Sequence, residues 1–326
     1  MVGNLWQGRR DSNTQPTVLE TATLPLSHSP KHVILYNILA IKSNIFSDRK
    51  IKKESKMKKQ YKLGVIGGGF MAHAILKGAI YSDFLKPKKI IVADTSQEAL
   101  DKLKYLGVNT TVNNRDVADN CEFLLFAVKP QNFLAVADSL HGVPVDKVIT
   151  IMAGVKKQKI KDLLFGDDIR VARAMPNLPC SIGSGVTAVD LSDFEDSVDD
   201  CAFVDSVFNC LGNVLGVPEE KLNAVTGISG SGPAYVYMFI DGLIKAGVKQ
   251  GLTEDEAKTL AVSTVFGGAD MVGHSEDKTI DELISAVCSK GGTTIQAVDS
   301  FRRDDLYGVI DRAVSACVKR AEELSE

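Results

Sequence analysis

Near the C-terminus, Ser289-Lys290-Gly291-Gly292-Thr293-Thr294 places two glycines and three hydroxyls just ahead of an apolar helical pattern. Free backbone N–H groups at a helix start attract anions, and glycines let a ligand come close. Thr293 and Gln296 also have the spacing of a capping box for the helix that follows. The residues alone support two readings equally: a helix–helix turn with a threonine cap, or a cradle for an anion.

A second set of candidate ligand-binding residues lies more than two hundred positions upstream. "YKLGVIGGGFMAHAILKGAI" reads as an apolar strand, a glycine turn and a helix. The turn follows the pattern Gly67-x-Gly69-x-x-Ala72 of a dinucleotide-binding loop, set between a strand and a helix. Gly67 permits the tight turn, Gly69 lets backbone approach phosphate, and Ala72 lets helix and strand pack closely. In such folds ligands lie beyond the carboxyl ends of the strands. That rule puts Asp94, Ala127, Val128, Lys129, Pro130 and Met175 to Asn177 on one rim. Asp94 has two readings: a carboxylate for the ribose hydroxyls of NAD, or a cap for the next helix. It would repel a 2′-phosphate, and no Arg follows closely, although Thr95 and Ser96 could hydrogen-bond one. These residues lean towards NADH.

The elements that must position these groups follow from hydrophobic periodicity. Ile75, Leu76, Ala79 and Ile80 form the buried face of the first helix. Residues 89–94 read as a second strand, "SQEALDKLKYLG" as a helix closed by Gly107, and residues 121–130 as a buried strand. "VDKVITIMAG" and "DIRVARAMPN" read as further strands. This alternation implies an α/β, Rossmann-type, doubly wound parallel sheet over 57–217. From Pro218 the pattern becomes helical, giving an all-helical domain over 218–326. Its first long helix carries an apolar face of Tyr235, Met238, Phe239, Gly242, Leu243 and Ala246, suited to burial between neighbours. Thr253 with Glu256, and Thr279 with Glu282, are capping-box pairs. A helical domain this small with so much apolar surface is expected to complete its core in a dimer.

The chain has 326 residues, net charge −3, 44% hydrophobic and 24% charged content, an ordinary globular composition. It offers no electrostatic case for nucleic acid or an acidic membrane. The longest apolar run, His32 to Ile41, is too short to span a bilayer. Six scattered cysteines with no CxxC and no zinc spacing read as buried thiols of a reducing cytoplasm, with no metal site. Residues 1–56 carry nine Lys/Arg against four Asp/Glu and show no sustained period. They are expected to be a non-native or disordered extension, with Met57 the natural start. His73 and His274 read as surface or packing residues, and Lys129 as a cofactor-side residue rather than a catalytic one.

"GVIGGGFMAHAI", "FAVKPQ", "RAMPNLPCSIGSGVTA", "GISGSGPAYVYMFIDGL", "AGVKQGL" and "KGGTTIQAV" occur in this order. On them the chain resembles the pyrroline-5-carboxylate reductase family over nearly all of 57–326. The resemblance implies a Rossmann domain followed by a helical dimerisation domain, with dimers often assembled into decamers. It implies reduction of (S)-1-pyrroline-5-carboxylate to L-proline by NADPH or NADH, with NADPH the commoner donor. It maps the cofactor's glycine loop onto Ile66, Gly67, Gly68, Gly69, Phe70 and Met71, Ala127 to Pro130 near the nicotinamide end and Asn114 onto the adenosine side. It also maps substrate-carboxylate capture onto Ser289, Gly291, Gly292, Thr293 and Thr294, with Thr294 facing the ring nitrogen and Glu276 near the amine. Asn177 joins the substrate side from the rim. A threonine hydroxyl is a poor acid at neutral pH, so Thr294 is expected to position the imine rather than protonate it. Two residues depart from the family pattern: Phe70 where a polar side chain is usual, and Lys290 where proline is usual. The alternatives are a reductase of a related small cyclic imine or 2-ketoacid, and a non-catalytic NAD(P)-binding regulator. The intact Ser289 and Gly-Gly-Thr-Thr turn argues against the regulator.

Overall fold

Strand β1 (Tyr61–Ile66) enters the sheet because its side chains alternate between two apolar layers. Leu63 and Val65 face one core cluster, while Ile66 faces the other. The same period of two recurs in β4 (Cys121–Phe126), where Phe123 and Leu125 face the first layer and Leu124 and Phe126 the second. A strand buried on both faces needs helices on both sides, and the chain supplies them between strands.

The computed structural model describes residues 59–325, all within one compact unit, Lys56–Glu326. The expectations for residues 1–56 and for Met57 lie outside the described residues. After β1 come α1 (Phe70–Tyr81), β2 (Ile90–Ala93), α2 (Gln97–Lys104), β3 (Asn109–Thr111) and α3 (Asn114–Asn120). Beyond β4 follow α4 (Phe133–Ser139), β5 (Lys147–Thr150), α5 (Lys157–Leu163), β6 (Arg170–Pro176) and β7 (Gly185–Asp190). Then α6 (Val198–Asn209) crosses to β8 (Gly212–Gly216). The eight strands lie in the order β3-β2-β1-β4-β5-β6-β7-β8. The first six are parallel, so their carboxyl ends share one rim. Chain progression reverses between β1 and β4, the topological switch point of a doubly wound sheet.

Three sequence expectations need correction. The buried strand stops at Phe126 rather than at 130, because Ala127 leaves the ladder and Pro130 opens a short 3₁₀ turn. β7 runs antiparallel to β6. The connection is only a 3₁₀ turn over Leu178–Ile182, too short for the crossover that a parallel neighbour requires. The cysteines are not uniformly buried: Cys121 and Cys180 are, while the other four are half-buried. Burial pushes the Cys121 thiol up to about 12 and Cys210 to about 11, so neither is a thiolate at neutral pH.

The helical half begins with α7 (Leu222–Val225), a π-helical turn (Thr226–Gly230) and α8 (Gly232–Lys249). It continues with α9 (Glu254–Gly273), α10 (Ile280–Val287), α11 (Thr293–Arg303) and α12 (Leu306–Glu323). Few side chains here are buried. In α8 none is, and the face expected to be covered leaves Met238 75% and Phe239 48% exposed. Phe266 on α9 and Tyr307 on α12 are exposed as well. Burial of these faces requires a surface that the described residues of one chain do not provide.

Buried ions join the sheet to the helical half. The Lys157 ammonium donates to Asp190 at 2.6 Å, to Asp193 at 3.0 Å and to the Ser192 hydroxyl. Its backbone N–H donates to Glu219 at 2.8 Å, which also accepts from Arg173 at 3.1 Å. Burial opposes the charge on Lys157, but the bonds to Asp190 and Asp193 prevail and raise its pKa. Burial also opposes the Asp193 charge, and bonds from Lys161 and Lys157 hold its carboxyl below the usual range. Asp193 therefore contributes stability above the ordinary carboxylate pKa and loses it as acid carries the pH through its lowered value. Lys157→Ala would strand a carboxylate only 4% exposed. The expected cost is about 3 kcal/mol or more, read as a lower urea midpoint. An unchanged midpoint would mean that the network adds nothing to stability.

Candidate active site

Backbone contacts from both neighbouring strands shape the glycine loop. Gly67 has φ +101°, and its N–H donates to Ala93 at 2.8 Å. Ala127 donates to Ile66 at 2.9 Å, drawing the β4 loop alongside. A Cβ on Gly67 would lie 2.7 Å from the Ala127 carbonyl oxygen, so the close approach of the two loops depends on glycine here. Gly69 is the N-cap of α1 and provides no capping side chain. The amides that follow it, at Phe70, Met71 and Ala72, open the helix with no intrahelical carbonyl to reach. This helix start suits a phosphate. Phe70 is 62% exposed, whereas Met71 packs against the core.

Asp94 follows β2 directly. Its Oδ2 accepts from the Gly68 N–H at 2.6 Å and its Oδ1 from the Ser96 N–H at 2.7 Å. The capping reading falls to Ser96, whose hydroxyl accepts from Ala99 at the start of α2. Thr95 is exposed beside it. Asn114 begins α3, and its amide donates to the Ser139 hydroxyl at 2.9 Å. Ala127 and Val128 are half-buried, whereas Lys129 and Pro130 are exposed. Asn177 lies at the end of β6 on the same rim, but its side-chain oxygen accepts from the Val186 N–H at 3.1 Å. That oxygen holds the turn into β7.

The α10–α11 turn is built differently from its sequence expectation. Gly292 donates to the Ser289 carbonyl at 2.9 Å, and Gly291 has φ +74° while Lys290 does not enter positive φ. That combination defines a type II turn, whose second position favours proline and accepts most other residues. Lys290 occupies it. Gly292, in extended conformation, is the helix N-cap, and Thr293 is already the first helical residue. The expected Thr293–Gln296 capping box therefore does not form, because the helix starts one residue too early for it. The boxes at Thr253–Glu256 and Thr279–Glu282 do form. With no side chain capping α11, its opening amides stay available, and the Ser289 hydroxyl sits against Gly292, where any Cβ would overlap it.

Glu276 is exposed between α9 and α10, and among the described residues it makes no hydrogen bond or ion pair. The neighbouring His274 ring lies 2.9 Å from the Asp270 carbonyl. Sequence reading missed the π-turn over Thr226–Gly230, whose only signal is its glycine and serine density. A Cβ on Gly230 would lie 2.8 Å from the Met175 methyl, so the π-turn seats on the rim end of β6. Such turns recur at functional sites. Among the described residues no hydrogen bond joins the α10–α11 turn to the cofactor rim. Each set of residues is assembled locally.

A doubly wound sheet with a phosphate-ready glycine loop, followed by helices with open apolar faces, is the arrangement of a dinucleotide-binding protein of the Rossmann class. Known proteins narrow this further. A family model of NADP oxidoreductase, coenzyme F420-dependent, matches residues 62–154, and one of pyrroline-5-carboxylate reductase dimerisation matches 219–324. A pyrroline-5-carboxylate reductase from Synechocystis is 39% identical over 266 residues, 81% of this chain and 98% of that protein. The Escherichia coli enzyme is 33% identical over 81% of this chain and 98% of its own length. The solved reductase from Coxiella burnetii superposes with TM-score 0.75 at 34% identity, over 82% of this chain and 99% of its own. That from Plasmodium falciparum, with NADP bound, gives 0.74 at 28% identity over 82% and 99%. The chain belongs to the pyrroline-5-carboxylate reductase family. Among the described residues no helix is long and apolar enough to cross a membrane.

Proposed function

We propose that the chain reduces (S)-1-pyrroline-5-carboxylate to L-proline with NADPH or NADH, using residues 57–217 for the cofactor and 218–326 for substrate and dimerisation. The observation that carries the substrate reading is the glycine-capped start of α11 beside Ser289. The amides of Thr293, Thr294 and Ile295 have no intrahelical partner, and they suit a small carboxylate. The residues of the rim fit a dinucleotide: Gly67 holds the loop close, Gly69 leaves the α1 amides uncapped, and Asp94 stands where an adenosine ribose would lie.

When bound, the reduced nicotinamide supplies the hydride. The protein's task is placement of the imine carbon at about 3–3.5 Å from the donor. Carboxylate capture by the Ser289 hydroxyl and the Thr293, Thr294 and Ile295 amides fixes one end of the ring. The Thr294 hydroxyl orients the ring nitrogen, which must carry a proton for its carbon to accept the hydride. Ala127 to Pro130 bound the nicotinamide end. Exposed apolar faces on α8, α9 and α12 support closure of the helical half against a second copy, and Glu276 would join the amine side there. Higher assembly into decamers and a cytoplasmic setting complete the reading.

The test follows oxidation of NADH and NADPH in parallel with pyrroline-5-carboxylate, with a piperideine carboxylate and 2-ketoacids as competitors. Pyrroline-5-carboxylate should be the best substrate. Thr294→Ala is expected to lower kcat/KM by on the order of tenfold to hundredfold, the loss of one hydrogen bond to a charged group. Unchanged kinetics would remove Thr294 from the site, and better turnover of another imine would replace the substrate.

A further inference from the structure

We infer that Asp94 makes this chain selective for a dinucleotide without a 2′-phosphate, NADH over NADPH. The inference rests on the cofactor reading above and adds to it the choice of donor. Its starting point is a carboxylate that is held in place. Asp94 Oδ2 accepts from Gly68 at 2.6 Å and Oδ1 from Ser96 at 2.7 Å, so each oxygen is fixed by a backbone N–H. The first bond spans 26 residues and ties the glycine loop to the end of β2. Rotation of the side chain to admit a phosphate would break both bonds.

Each carboxylate oxygen keeps a free lone pair, and the group is only half-buried. At this place in a doubly wound fold a carboxylate receives the adenosine ribose hydroxyls. A 2′-phosphate there carries up to about two negative charges. Among the described residues, the segment that follows Asp94 offers no charge to neutralise them. Thr95 to Gln97 are uncharged and Glu98 is acidic. The first cations along α2 are already paired, Lys102 with Glu98 at 2.7 Å and Lys104 with Asp101 at 2.9 Å.

The neighbouring loop does not help either. The Asp94 N–H reaches the Thr111 carbonyl at 3.4 Å, which sets the start of α3 alongside. That loop presents a second carboxylate, Asp116, which accepts from the Thr111 hydroxyl and the Asn113 amide, both at 3.0 Å. Its one cation, Arg115, donates to the His141 carbonyl at 2.9 Å. Among the described residues the ribose end of the rim thus presents two carboxylates, and its one cation without a carboxylate partner, Arg115, is turned to the His141 carbonyl.

The test measures NAD⁺ and NADP⁺ affinity by calorimetry on the whole protein, alongside kcat/KM for the two reduced donors. Wild type should favour the donor without the phosphate by about tenfold or more in both readouts. Asp94→Ser, alone and with Thr95→Arg, should raise NADP⁺ affinity and lower NAD⁺ affinity, collapsing or inverting the ratio. Equal or tighter NADP⁺ binding by wild type overturns the inference. So does a wild-type preference that Asp94→Ser leaves unchanged. If NAD⁺ binds selectively but neither donor is oxidised with pyrroline-5-carboxylate, the substrate reading fails while the donor assignment stands.

Discussion

Gly67→Ala is expected to remove most of the protein's nucleotide affinity and part of its stability together. At φ +101° a Cβ is strained whatever the space around it. An L-residue at positive φ costs roughly 1–2 kcal/mol. Here there is no space either, because the new atom would meet backbone, the Ala127 carbonyl oxygen at 2.7 Å and its carbon at 2.8 Å. Backbone cannot rotate away as a side chain can. The β1 and β4 loops would have to separate, and the nicotinamide-side residues Ala127 to Pro130 would move with them. A shift of about 1 Å in a positioning segment can cost about a hundredfold. Binding of NADH by fluorescence titration should weaken by that order, and the melting temperature should fall. Gly69→Ala is the control. Gly69 has φ −69° and open space around its Cβ, so the free protein should fold with near-normal stability. Only ligand approach would suffer there. If Gly67→Ala bound cofactor as wild type does, the loop would not depend on this glycine.

Sequence periodicity and glycine placement account for the strand–turn–helix of β1 and α1, because both signals are local. The capping boxes at Thr253 and Thr279 are legible for the same reason: each needs only a side chain and an amide three residues apart. The same spacing at Thr293 misleads. Gly291 and Gly292 turn the chain one residue earlier than the threonine pattern requires, and the helix is capped by a residue with no side chain. The direction of β7 was not legible, since an apolar strand pattern carries no polarity. The length of its connection decides the direction. Asp94 shows the limit most clearly. Its place after a strand is readable, but the bond to Gly68 crosses between two βα units and exists only once β1 and β2 pair. The place of Asn177 on the rim is readable too, but the bond that its oxygen accepts from the Val186 N–H exists only once β6 and β7 pair. The α8 stripe was legible as a face to be covered, because its apolar period is local, whereas the extent to which the described residues leave it open depends on how the helices pack.

Gly292→Ala is expected to damage substrate binding while leaving cofactor binding intact. The added methyl would overlap the Ser289 hydroxyl and come within 3.2 Å of the Ser289 carbonyl oxygen. That carbonyl closes the type II turn by accepting from Gly292 itself, so the turn must open or the serine must swing away. Either movement misaligns the hydroxyl and the α11 amides that are proposed to hold the carboxylate. Loss of one or two bonds to a charged group is worth about 1.5–3 kcal/mol each, so KM for pyrroline-5-carboxylate should rise at least about tenfold. NADH affinity should stay near wild type, because no hydrogen bond ties this turn to the rim. The double variant Ser289→Ala with Gly292→Ala separates two causes. It removes the overlapping oxygen, so any loss of thermal stability in the single variant should be recovered. The KM should not recover, because the hydroxyl is then gone from the site. Ser289→Ala alone closes the cycle and reports the worth of the hydroxyl without the clash. Recovery of both stability and KM in the double variant would mean that Ser289 only packs against the turn. A wild-type KM in Gly292→Ala would move the carboxylate site away from α11 altogether.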